Sequence, residues 1–67
     1  MNLQEYDVVR LRRPLTEHAL PAGTAGTVVL VYDNPPGYEV EFTDKNGVTL
    51  ALISVRQSDA DGLLEKT

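Results

Sequence analysis

At 67 residues the chain has room for one hydrophobic core, so residues 1–67 are expected to form a single domain that buries about 60% of the surface its unfolded form exposes. The lack of cysteine excludes a disulfide framework, a thiolate metal site and a cysteine nucleophile. With no apolar run near the ~20 residues that span a bilayer, the expected location is the cytoplasm. Six Lys and Arg stand against ten Asp and Glu, a net charge of −4, and the field this creates repels phosphate backbones and favours basic partners.

No segment carries a sustained 3.6-residue apolar period, whereas short β-branched runs broken by Gly, Pro, Asn and Asp recur, so the chain reads as strands. The first spans about Tyr6 to Arg12, with Val9 and Leu11 on the inner face and Val8, Arg10 and Arg12 on the outer. Pro14 closes it, and Leu15 to Ala22 forms a connection anchored by Leu20. Gly23 and Gly26 then lead into Thr27 to Tyr32, which is apolar at successive positions. A chain this short cannot cover both faces of a strand, so a bulge that turns Val28 and Val31 inward is the preferred reading. Asp33 to Gly37 makes a turn. Tyr38, Val40 and Phe42 alternate with Glu39 and Glu41, the clearest strand signature in the sequence.

Asp44 to Gly47 supplies a hairpin turn, with Asn46 and Gly47 as the residues that tolerate positive φ, and Val48 to Val55 returns as the antiparallel partner. Ala51, Ile53 and Val55 form one face of that strand. Val48, Leu50, Leu52 and Ser54 form the other, which is also largely apolar and has no obvious cover. Ser58 to Gly62 is expected to make one helical or 3₁₀ turn, capped by Ser58 or Asp59 and stopped by Gly62. Leu63 and Leu64 would add a closing strand, and Glu65 to Thr67 would fray. The expected class is all-β: a small barrel of four to five antiparallel strands with one short helical turn near the C-terminus.

Four segments carry a resemblance: Asp7-Val8-Val9-Arg10-Leu11, Leu20 to Val29 with its Gly-x-x-Gly-Thr-Val element, Tyr38-Glu39-Val40-Glu41-Phe42, and Ala51-Leu52-Ile53-Ser54-Val55. Together they resemble a small bacterial family called domain of unknown function 4926, over Leu3 to Leu64. The resemblance implies an SH3-like barrel and no established activity. More distantly, the Gly-x-x-Gly-Thr-Val turn is similar to the KOW motif and to the barrel of nitrile hydratase β subunits. A shared fold carries no site across. Leu30, where such families often place a polar residue, and the Pro35-Pro36 turn depart from the pattern and bear on the choice of partner.

Chemistry-bearing residues are sparse. His18 is the one histidine and would need several further ligands to hold zinc, so a solvated loop histidine is expected and no metal. Ser54 or Ser58 with His18 and Asp59 lacks any nucleophile-elbow context. Glu39 and Glu41 read as a solvated face, with Arg10 or Arg12 as possible cross-strand ion-pair partners. No catalytic residue and no cofactor is expected, and the chain is not read as an enzyme. Two function classes remain. The first is a non-enzymatic protein-interaction module that binds itself, as a homodimer, or another protein as an antitoxin-like, immunity-like or accessory-subunit partner. It would use an outward apolar strip of Val8, Val29, Leu30, Leu50 and Leu52 ringed by acidic residues. The alternative is a KOW-like nucleic-acid-binding barrel using Arg10, Arg12 and Arg13 beside Tyr6.

Overall fold

The alternation of Tyr38, Val40 and Phe42 with two glutamates builds the middle of a sheet. In a computed structural model describing residues 1–67, the strands are β1 (Val8–Leu11), β2 (Ala25–Asp33), β3 (Pro36–Thr43), β4 (Thr49–Arg56) and β5 (Leu64–Lys66). A 3₁₀ turn lies at Thr16–His18 and one helix, α1, at Gln57–Leu63. All neighbours are antiparallel, in the order β4-β3-β2-β1-β5. This is a small, barrel-like all-β fold with a short helix near the C-terminus, consistent with the SH3-like barrel expected. No helix is long and apolar enough to cross a membrane.

Cross-strand register places the core. Val9 faces Gly26, Gly26 faces Phe42 and Phe42 faces Ala51, while the next inward row sets Val28 against Val40 and Val40 against Ile53. Val9, Val28, Val40, Phe42 and Leu64 are the largest fully buried side chains. A Cβ on Gly26 would lie 2.8 Å from Val40 Cγ1 and 2.9 Å from the Phe42 ring, so only glycine lets β2 pass this close beneath them. Gly23 instead takes a positive φ of 86° at the start of the same strand.

Several boundaries differ from expectation, each for a local reason. β1 is shorter than Tyr6 to Arg12, because Tyr6 adopts φ 72°. Its N–H nevertheless donates to the Val28 carbonyl at 2.6 Å, and the Val28 N–H donates to the Asp7 carbonyl. The expected bulge in β2 lies between Val28 and Leu30, and it leaves Val28 fully buried. Val31 pairs with the buried Tyr38 yet stays 37% exposed, since the β2–β3 hairpin runs past the end of the core. A second register shift, between Phe42 and Thr43, makes Leu50 the extra residue of β4. Only Gly47 takes positive φ in the β3–β4 turn, not Asn46.

Neither Ser58 nor Asp59 caps α1, which starts from Arg56 without a side-chain cap, and Gly62 lies within the helix. Glu65 and Lys66 do not fray. They pair with β1, and the Thr67 N–H donates to the Val8 carbonyl at 3.0 Å. The N-terminal segment folds across one end of the sheet: Leu3 is buried, and its N–H donates to Tyr38 Oη at 3.2 Å. Tyr38 in turn donates to the Met1 carbonyl, and the Met1 amine pairs with Asp61 at 2.7 Å.

Candidate interaction surface

The outward residues do not form one strip. Val8 faces Thr27, Thr27 faces Glu41 and Glu41 faces Leu52, so a glutamate and a threonine separate the apolar residues of β1 from those of β4. In the adjoining row Leu30 faces Glu39 and Glu39 faces Ser54. The five predicted residues therefore fall into two groups. Val8, Leu30 and the partly buried Val29 lie toward β1 and β2, whereas Leu50 and Leu52 lie on β4 beside the exposed Val48. Loops leave both groups uncovered; Leu50 is 49% and Leu52 58% exposed.

The two glutamates are held by hydroxyls rather than by arginines. Tyr32 Oη and Ser54 Oγ donate to Glu39 Oε2 at 2.6 and 2.8 Å, and Thr49 Oγ1 donates to Glu41. The hydrogen bond to the Glu39 carboxylate raises the Tyr32 phenol above the ordinary tyrosine range, because that bond and the adjacent negative charge both favour the protonated form. Arg10 and Arg12 make no ion pair with these carboxylates, from which β2 separates them. Arg10 Nη1 donates instead to the Gly23 carbonyl at 2.8 Å and Arg12 Nε to the Leu64 carbonyl at 2.8 Å, while Arg13 is exposed in the following connection.

Strand order adds a feature that local sequence patterns do not carry. β4 pairs with β3 alone and forms one edge of the sheet. No backbone hydrogen bond outside the strands and helix involves a residue from Thr49 to Arg56, so the far side of β4 offers its N–H and C=O groups unpaired. Ala51 and Ile53, on its inner face, are only partly buried. The signal was available in outline: β4 is followed by a helix instead of a hairpin, so it gains one strand neighbour and not two.

His18, Ser54 and Asp59 do line a common shallow groove between β4 and the 3₁₀ turn. No hydrogen bond joins them, and the Ser54 hydroxyl is turned to Glu39. Ser58 lies in a different depression beside Met1 and Pro36. His, Asp and Glu residues nowhere gather in a group of three that could hold a metal ion.

The family described as domain of unknown function (DUF4926) matches residues 5–60. No curated protein and no solved structure matches the chain.

Proposed function

Since the chain belongs to the DUF4926 family, described only as a domain of unknown function, we propose that it is a non-enzymatic protein-interaction module that docks through the β4 edge. The observation that carries this reading is the coincidence, on one strand, of an unpaired backbone edge and the exposed side chains of Leu50 and Leu52. An added strand would satisfy the free N–H and C=O groups, which supplies affinity, while alternate side chains meet the apolar residues, which supplies selectivity. Fully burying a leucine side chain contributes about 1.5–3 kcal/mol. Antitoxin-like, immunity-like and accessory-subunit roles would each use such a docking edge, and the missing cysteines suit a reducing cytoplasm. The alternative, nucleic-acid binding through Arg10, Arg12 and Arg13, has less to support it: Arg10 and Arg12 each spend a donor on the Gly23 and Leu64 carbonyls of their own chain, and a net charge of −4 repels phosphate.

The test is a photoreactive amino acid placed at Leu52 in the native host, with Arg13 as the control position. A discrete covalent protein adduct from position 52 and none from position 13 is expected. Adducts of equal yield from both positions, or none from position 52, would contradict a β4 docking edge.

A further inference from the structure

We propose that the strand that docks on β4 is β4 of a second copy of this chain, in an antiparallel, two-fold symmetric pair centred on Ile53. The inference rests on the reading of β4 as a docking edge and names its occupant. The bulge at Leu50 confines regular pairing to Ala51–Arg56. Within that segment nothing from Ala51 to Val55 is charged and none of it is proline, so the usual devices that keep an edge from pairing with its like are missing.

A two-fold axis normal to the sheet keeps inward residues opposite inward residues. Centred on Ile53, it sets Ile53 against the partner's Ile53, Ala51 against the partner's Val55, and Leu52 against the partner's Ser54. The first two contacts are apolar on both sides. They fall on the inner face of β4, where Ala51 and Ile53 are only partly buried, a seam of the core that at Ile53 borders the shallow groove beside the 3₁₀ turn. A second copy offers that seam its own equivalent.

Charge does not oppose the arrangement, although each chain carries −4. In the groove beside Ile53 to Arg56, Glu17 and Asp59 are matched by Arg13 and Arg56, and the outward acids Glu39 and Glu41 stand on β3, three strand spacings from their counterparts in the partner. That is about 14 Å at ~4.8 Å per strand, beyond the Debye length of about 8 Å at physiological ionic strength. The two Arg56 side chains fall at opposite ends of the paired segment, six residues or roughly 20 Å apart. Raising salt from low levels therefore strengthens the pair, whereas it weakens any contact with nucleic acid.

The purified chain is expected to sediment as a concentration-dependent dimer, more strongly at 0.15 M than at about 0.01 M salt. The chain has no cysteine, so a single Ile53→Cys creates only an intermolecular disulfide. Residues directly opposite in an antiparallel pair have Cα atoms about 4.5–5.5 Å apart, within the roughly 4.4–6.8 Å a disulfide requires. Ile53→Cys should cross-link at least about tenfold faster than Leu50→Cys or Val8→Cys under mild oxidation, because those positions do not face themselves.

Leu52→Lys with Ser54→Lys supplies the converse. Each lysine gains Glu41 or Glu39 beside it in its own chain but meets a lysine of the partner, so the double variant stays folded by circular dichroism and sediments as a monomer. A wild-type monomer at all concentrations, or cross-linking no faster at position 53 than at position 8, would overturn self-pairing. If position 52 still captured a different protein in cells, the docking edge would stand with another occupant; if it captured nothing, both readings would fall.

Discussion

The two edges of the sheet are built in opposite ways. β5 is three residues long and carries Glu65 and Lys66. Lys66 Nζ lies 3.5 Å from Asp7, Arg12 donates to the Leu64 carbonyl, and Thr67 donates to Val8 from both its N–H and its hydroxyl. Leu64 pins the strand by complete burial. β4 is eight residues long and uncharged up to Arg56, with exposed leucines on its outer face and no hydrogen-bonded neighbour beyond it. Short, charged edges discourage pairing and long apolar ones invite it. One sheet thus has a closed end and an open end, and the open one is where a partner strand can be added at least cost.

The comparison breaks hardest at Leu64. Leu64→Ala removes a wholly buried side chain and should cost about 2–5 kcal/mol, a large share of the roughly 5–15 kcal/mol that holds a domain together. Denaturant unfolding measures it, and β5 amides should lose protection before those of β4. Gly26→Ala strikes the row that joins the two ends: its Cβ meets Val40 and Phe42 at under 3 Å, so a loss of about 1–3 kcal/mol is expected, with both edges loosened together.

The smallest effect belongs to the polar belt beside β4. Tyr32 donates a hydrogen bond to Glu39, which also accepts one from Ser54 of β4. Its raised pKa means the neutral phenol is preferred in the folded chain. The favourable contribution is present below the ordinary tyrosine pKa and is lost as pH rises through the raised one. Glu39→Gln should bring the Tyr32 titration back toward the ordinary value in ultraviolet difference absorbance; an unmoved titration would show that the carboxylate is not its cause.

What could be read from the sequence was whatever strand alternation determines within one strand. Tyr38, Val40 and Phe42 are all buried, and Leu50 and Leu52 do face outward. The bulge at Val28 was readable too, because a run of successive apolar residues cannot alternate in so small a chain. The partition of the outward residues was not readable. Which side chains adjoin across strands depends on register, and bulges at two places shift it. The expected ion pairs of Glu39 and Glu41 with Arg10 or Arg12 failed for a related reason, since β2 stands between β1 and β3. The edge position of β4 belongs to strand order, and the N-terminal contacts of Leu3 with Tyr38 have no periodicity to announce them.

Amide hydrogen exchange, resolved by residue and repeated over a range of protein concentrations, probes the open edge directly. Those amides of Ala51 to Val55 that point away from β3 should exchange quickly in dilute protein and become protected as concentration rises, while the β5 amides stay unchanged. Protection of Ala51 to Val55 that is the same at every concentration would contradict an edge that pairs with its own copy.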